Sequence, residues 1–193
     1  MPEGPSIVIL KEQVTPFLGR TIERVSGNTT IDKERLLPQR VEAFRSWGKH
    51  FLVEMPDFSL RVHFMLFGSY RINEDKSWAV PRLSLGFDNG VLNLYACSVR
   101  FIEEPLDLVY DWWADVMSPH WDAALARKRL RAQPQTLVCD ALLDQDLFAG
   151  VGNIAGCVID DKRRALVSHN GIVGHNMRKV QEFVLPFAPG ALC

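Results

Sequence analysis

Apolar residues recur three and four positions apart at Ile7, Ile9, Leu10 and Val14, and this spacing predicts an N-terminal helix. Pro5 suits the first turn of such a helix, where its missing N–H has no bond to lose, and Gly19 supplies a stop. The pattern then changes. Residues 21–25, 41–46, 49–54 and 59–65 are short runs rich in β-branched and apolar side chains, with turn signals such as Pro56-Asp57 between several of them. Residues 82–87 alternate, with Leu83, Leu85 and Phe87 on one face, and Asp88-Asn89-Gly90 gives an Asn-Gly hairpin signal before a further strand over 91–96.

After about Pro105 the pattern is no longer that of strands. Trp112, Trp113 and Trp121 fall in a helical or irregular stretch, and residues 127–131 and 136–148 read as helices. In the second, Leu137, Ala141, Leu142 and Phe148 form the apolar side. Gly150 and Gly152 bracket a tight turn, and Asn153 is placed to start another helix. The class is therefore α+β: an N-terminal helix and a two-layer antiparallel β-sandwich, followed by a smaller helical part. The expected division is residues 1–110 and 111–193, with a short helix over 177–184 ended by Pro186 and Pro189.

Composition narrows the class without choosing a function. At 193 residues and 47% hydrophobic content the chain buries a core. No apolar run reaches the roughly 18–20 residues of a membrane span, and the N-terminus lacks the layout of a signal peptide. The expectation is an intracellular protein without membrane partners. The four cysteines, Cys97, Cys139, Cys157 and Cys193, form no Cys-x-x-Cys pair and read as reduced thiols. No metal site or cofactor is expected. A net charge of −1 is not that of a strong duplex binder. Positive charge is local, in Arg127, Lys128, Arg129 and Arg131 and again in Lys162, Arg163 and Arg164. Such runs are most often solvated helix faces.

The first residues carry the chemistry. Removal of Met1 leaves Pro2 as a terminal secondary amine beside the carboxylate of Glu3. An α-amine has a pKa of about 7.7–8 against about 10.4 for lysine, so at pH 7 roughly one in seven is neutral and nucleophilic. Attack on C1′ of a sugar gives an iminium, the Schiff-base route of covalent catalysis. Glu3 is placed to move protons on and off the ring oxygen. Many chains begin Met-Pro with no such role.

Met1-Pro2-Glu3-Gly4-Pro5, Trp47-Gly48-Lys49-His50, His63 through Gly68, Arg100-Phe101, and Leu142-Leu143-Asp144-Gln145 leading to Ala149-Gly150-Val151-Gly152-Asn153-Ile154 occur in this order and spacing. Over roughly residues 1–154 the chain resembles the formamidopyrimidine-DNA glycosylase and endonuclease VIII family of base-excision repair enzymes. The resemblance implies removal of oxidised bases from damaged DNA, duplex or single-stranded, with strand cleavage at the abasic site, by a monomer. The helical part becomes a partial helix–two-turn–helix domain reaching about residue 156. Pro2 attacks and Glu3 shuttles protons, while Lys49 contacts a phosphate near the reacting sugar and His63 faces the DNA. Arg100 pairs with a phosphate, and Phe101 wedges into the opposite strand as apolar side chains do at DNA kinks. Leu66 takes the place of the residue that fills the gap left by the flipped base. Asn153 binds backbone phosphate at a helix start.

Each residue also has a plain structural reading. Lys49 is then an exposed strand-end lysine, His63 a core histidine, Arg100 and Phe101 ordinary edge-strand residues, and Asn153 a helix N-cap. The chain also departs from the family pattern. Ser6 stands where members often carry glutamate, and Val99 where an arginine commonly precedes the Arg-Phe pair. After Ile154 the expected finger and its arginine have no counterpart, which leaves fewer phosphate contacts and a shallower salt dependence of binding. The alternative reading is a non-catalytic or weakly active DNA-binding remnant.

Overall fold

Of the four apolar positions that predict the first helix, Ile7, Leu10 and Val14 are buried and head a core closed by two antiparallel sheets, while Ile9 is exposed. The computed structural model describes residues 2–152. Contacts divide the described residues into two units: Pro2 with Ser6–Val109, and Glu3–Pro5 with the residues from Tyr110 onward.

Helix α1 spans Gly4–Gln13 and ends six residues before Gly19, where Thr15–Phe17 tightens into a 3-10 turn. Gly19 then takes a left-handed φ of 74°. Eight strands follow: β1 Arg24–Ser26, β2 Ala43–Trp47, β3 His50–Glu54, β4 Ser59–His63, β5 Ser69–Ile72, β6 Leu83–Phe87, β7 Gly90–Tyr95 and β8 Ser98–Ile102. One sheet runs β1-β6-β7-β5 and the other β2-β3-β4-β8, all neighbours antiparallel. Strand alternation assigns the faces. Phe51, Val53, Leu60, Val62, Leu83, Leu85, Leu92 and Leu94 point into the core, where each fully buried side chain contributes about 1.5–3 kcal/mol. Phe17 stacks on Phe87 at 4.6 Å, joining the 3-10 turn to the first sheet.

A hairpin forms where the sequence predicts one, but Asp88 and Asn89 are its two turn residues and Gly90 already pairs with Phe87 as the first residue of β7. The predicted strand over 59–65 is shorter. It stops at His63, and residues 65–67 turn outward. Strand β5 (Ser69–Ile72) is additional to the sequence reading, although its four residues alternate polar and apolar, and β8 (Ser98–Ile102) contains Arg100 and Phe101, which the plain structural reading put on an edge strand.

Helix α2 (Leu106–Val109) ends the first unit, and in the second α3 spans Ala123–Arg131. Asp122 caps α3 by accepting from the Ala124 and Leu125 N–H groups. The single helix expected over 136–148 is broken into α4 (Val138–Leu143) and α5 (Gln145–Phe148). Asp144 leaves helical dihedrals (φ −68°, ψ 112°), and its carboxylate caps α5 through the Asp146 N–H. Buried Asp115 pairs with Ala149 in an isolated parallel bridge and accepts from the Met117 N–H at 2.9 Å.

Candidate active site

Pro2 precedes α1 and lines a cavity of about 570 Å³ in the first unit, with Ser6, Ile7, Phe64, Gly68 and Tyr70 along its walls. Gly68 lets the chain pass closely against Phe64 at this wall: a Cβ there would collide with the Phe64 carbonyl and Cβ. Its far end is polar. The Tyr70 hydroxyl donates to Gln13 Oε1 at 2.8 Å, and Arg71 and Glu74 complete the rim.

Glu3 is buried, in the second unit, against the turn that follows α5. The Gly4 N–H donates to the Gly150 carbonyl at 3.0 Å. Gly150 has a left-handed φ of 96°. Gly152 leaves the space that the Glu3 carboxyl occupies; any Cβ at position 152 would overlap it. Gln145 holds this turn in place. Its amide donates to the carbonyls of Leu143 and Val151 at 2.8 and 2.9 Å and accepts from the Gly150 N–H at 3.1 Å. Every polar atom of that side chain is used, which explains a glutamine five residues before the glycine turn. Sequence reasoning quoted Gln145 within a motif and gave it no role; the signal was its fixed distance from Gly150.

Lys49 sits at the tip of the β2–β3 hairpin. Gly48 has φ 54° at the first central position, the requirement of a type II′ turn, so Trp47 pairs with His50 and Lys49 is presented at the turn. His50 and His63 are cross-strand partners with rings edge-on at 5.6 Å. His63 is half-buried on the face of β4 opposite the core residues Leu60 and Val62, so it is not a core histidine. Burial pushes His50 down to about 4, helped by the positive charge of Arg61, His63 and Lys49. His63 is lowered too, by burial and then by Lys49 and Arg61. Both imidazoles are therefore neutral at pH 7.

Leu66 lies in the turn after β4, exposed between Met65 and Phe67. Three consecutive apolar side chains stand in water here, Phe67 at 82% exposure. Met65 Sδ approaches His63 Nδ1 at 3.3 Å. The sequence reading singled out Leu66 alone. Runs of apolar residues are common in strands, and only the outward turn distinguishes this one.

Arg100 and Phe101 lie in β8, the edge strand of the second sheet, and point to opposite faces. Arg100 is exposed. Phe101 packs edge-on against Phe58 at 5.1 Å, and the Arg35 guanidinium lies over both rings, 4.1 Å from Phe58 and 4.9 Å from Phe101. Glu103 fixes Arg35 through a two-pronged pair at 2.6 and 2.5 Å. Phe101 is thus a packing residue in this arrangement, with little of its ring left for insertion. Asn153 lies outside the described residues, as does the helix expected over 177–184. Among the described residues no three His, Cys, Asp or Glu side chains are grouped so as to hold a metal ion, and no helix is long and apolar enough to cross a membrane.

The formamidopyrimidine-DNA glycosylase N-terminal domain model matches residues 1–102, more than half of the chain. The chain belongs to that family. Among curated relatives, the DNA-(apurinic or apyrimidinic site) lyase Nei2 of Mycolicibacterium smegmatis is 28% identical over 169 residues, covering 80% of this chain and 64% of the relative. Mouse endonuclease 8-like 3 is 30% identical over 114 residues, 55% of this chain and 19% of the relative. Family members of this kind are longer: the chain spans less than two thirds of either. Solved structures share the fold. A viral DNA glycosylase superposes with a TM-score of 0.80 at 18% identity, covering 94% of this chain and 80% of that one. Lactococcus lactis formamidopyrimidine-DNA glycosylase, noncovalently bound to DNA containing an abasic site, gives 0.77 at 18% identity, covering 97% and 84%.

Proposed function

We propose that this family member is a base-excision DNA glycosylase for oxidised bases, with abasic-site lyase activity, acting as a monomer on duplex or single-stranded DNA. The observation that carries the reading is Pro2 at the wall of a cavity large enough for an extruded nucleotide. In the mature chain the Pro2 nitrogen forms a bond to C1′ while the glycosidic bond breaks and the base departs with its electron pair. Glu3 protonates O4′ as the sugar ring opens. The resulting iminium acidifies C2′–H; loss of that proton expels the 3′ phosphate, and water then hydrolyses the iminium to release Pro2.

Lys49 and Arg100 hold backbone phosphates, and His63 faces the DNA as a neutral hydrogen-bonding group. Leu66, flanked by Met65 and Phe67, fills the gap left by the extruded nucleotide, the wedge role that apolar side chains play when a duplex is opened. Asn153 contributes a further phosphate contact from the segment after Gly152. The relatives' names, a lyase of apurinic or apyrimidinic sites among them, support the same chemistry.

Borohydride trapping on an abasic oligonucleotide tests the reading. A covalent adduct is expected that disappears in Pro2→Thr, and intact mass should show loss of Met1. DNA binding without an adduct would establish the non-catalytic remnant instead.

A further inference from the structure

The outer face of the second sheet carries two cross-strand rows. Register places Arg45, Leu52, Arg61 and Arg100 side by side across β2, β3, β4 and β8, and Trp47, His50, His63 and Ser98 in the next row. These positions alternate with the core residues Phe51, Val53, Leu60, Val62 and Val99, so the two rows share one face. Arg45 is neutralised by Asp107 at 3.0 Å and Glu54 at 3.8 Å. Arg61 and Arg100 differ. They are directly opposed on adjacent strands, and among the described residues neither has a carboxylate partner.

Like charges directly opposite on neighbouring strands destabilise a sheet. Adjacent strands lie about 4.7–4.9 Å apart, so the two guanidinium stems start within one residue width of each other. An anion held between them converts that repulsion into two charge-assisted contacts, with the planar fork that suits phosphate. The next row, one pleat repeat or about 6.6 Å away, holds two neutral imidazoles beside Lys49. After burial, the groups that perturb the histidines are Arg61 and Lys49, with His63 acting on His50 as well, and no carboxylate is among them.

We propose that Arg61 and Arg100 together form a clamp for the phosphodiester backbone of DNA, one pleat repeat from the His50–His63 row. Arg61 is the new member, and its partner is the backbone of the strand whose sugar Pro2 attacks; the proposal rests on that reading for its ligand. The clamp is independent of base identity, since it offers only donors to phosphate oxygens.

The test is the salt dependence of binding to an undamaged fluorescent oligonucleotide. Each of Arg61→Gln and Arg100→Gln should flatten the slope of log K against log salt concentration by about 0.7–0.9, and the double variant by about twice that. Replacing both by lysine should restore most of the slope. Arg100→Gln alone, at an exposed position, keeps the measurement available if the double variant does not fold. An unchanged slope in Arg61→Gln overturns the clamp. Wild-type protein trapped on abasic DNA with that unchanged slope would leave the glycosylase reading standing. Flattened slopes without trapping would keep the clamp and remove the lyase.

Discussion

The Gly4 N–H and the Gly150 carbonyl are hydrogen-bonded at 3.0 Å, so the first residue of α1 is fastened to the glycine turn that follows α5. That turn also encloses Glu3, with Gly152 leaving the space for its carboxyl. Gly152→Ala should therefore displace a buried carboxyl. General acid–base groups contribute on the order of 10²–10⁴ in rate, and a loss of about 10² in abasic-strand cleavage is expected. Single-turnover cleavage measures it. Circular dichroism at the same temperature separates displacement from unfolding.

Phe101→Ala tests which role the ring has. A residue packed against Phe58 and capped by Arg35 stabilises the sandwich, and its removal should lower unfolding free energy by about 1–3 kcal/mol, less than for a fully buried phenylalanine. Urea denaturation reads this directly. A ring used only as a DNA wedge would leave the midpoint where it was.

The turn at Met65, Leu66 and Phe67 predicts the opposite behaviour. Leu66→Ala and Phe67→Ala remove exposed side chains, so stability should stay within about 0.5 kcal/mol of the parent. Affinity for a duplex carrying an abasic-site analogue should fall, and fall more than affinity for a single strand, because the gap to be filled exists only in the duplex. Paired fluorescence titrations decide it.

His50 gives the protein an acid-sensitive term. Its folded pKa is near 4 against an ordinary value of 6.5, so the unfolded chain takes up a proton first as pH falls. The contribution is fully present above pH 6.5 and is lost on the way down to about pH 4, amounting to at most about 3 kcal/mol. His63, lowered in the same direction, adds to the slope. Replacing His50 by Gln should flatten the dependence of the urea midpoint on pH between 6.5 and 4.

Much of this architecture is written in local pattern. The helix at Ile7, Leu10 and Val14 and the hairpin at Asp88 and Asn89 are legible because spacing and turn chemistry agree there. The four-residue strand β5 was hidden by its shortness, and the break at Asp144 because a capping aspartate also fits a helix surface. Lys49 and Glu3 could be named from motif alone. What could not be read was their setting: the glutamine that locks the glycine turn, the arginine over Phe101, and the opposition of Arg61 to Arg100. The last two depend on residues brought together from distant parts of the chain, which no local period encodes, whereas the glutamine acts within six residues of its own position.

Strand β4 constrains how this scaffold can be altered. Leu60 and Val62 face inward while Arg61 and His63 face outward, so a single inserted or deleted residue within Ser59–His63 would exchange the two sets. A guanidinium would then enter the hydrocarbon interior and two aliphatic groups would meet solvent. Grafts and length changes therefore belong in the connection between Ile72 and Leu83, where the chain leaves the sheet before rejoining it and a changed loop length leaves the phase of every strand intact.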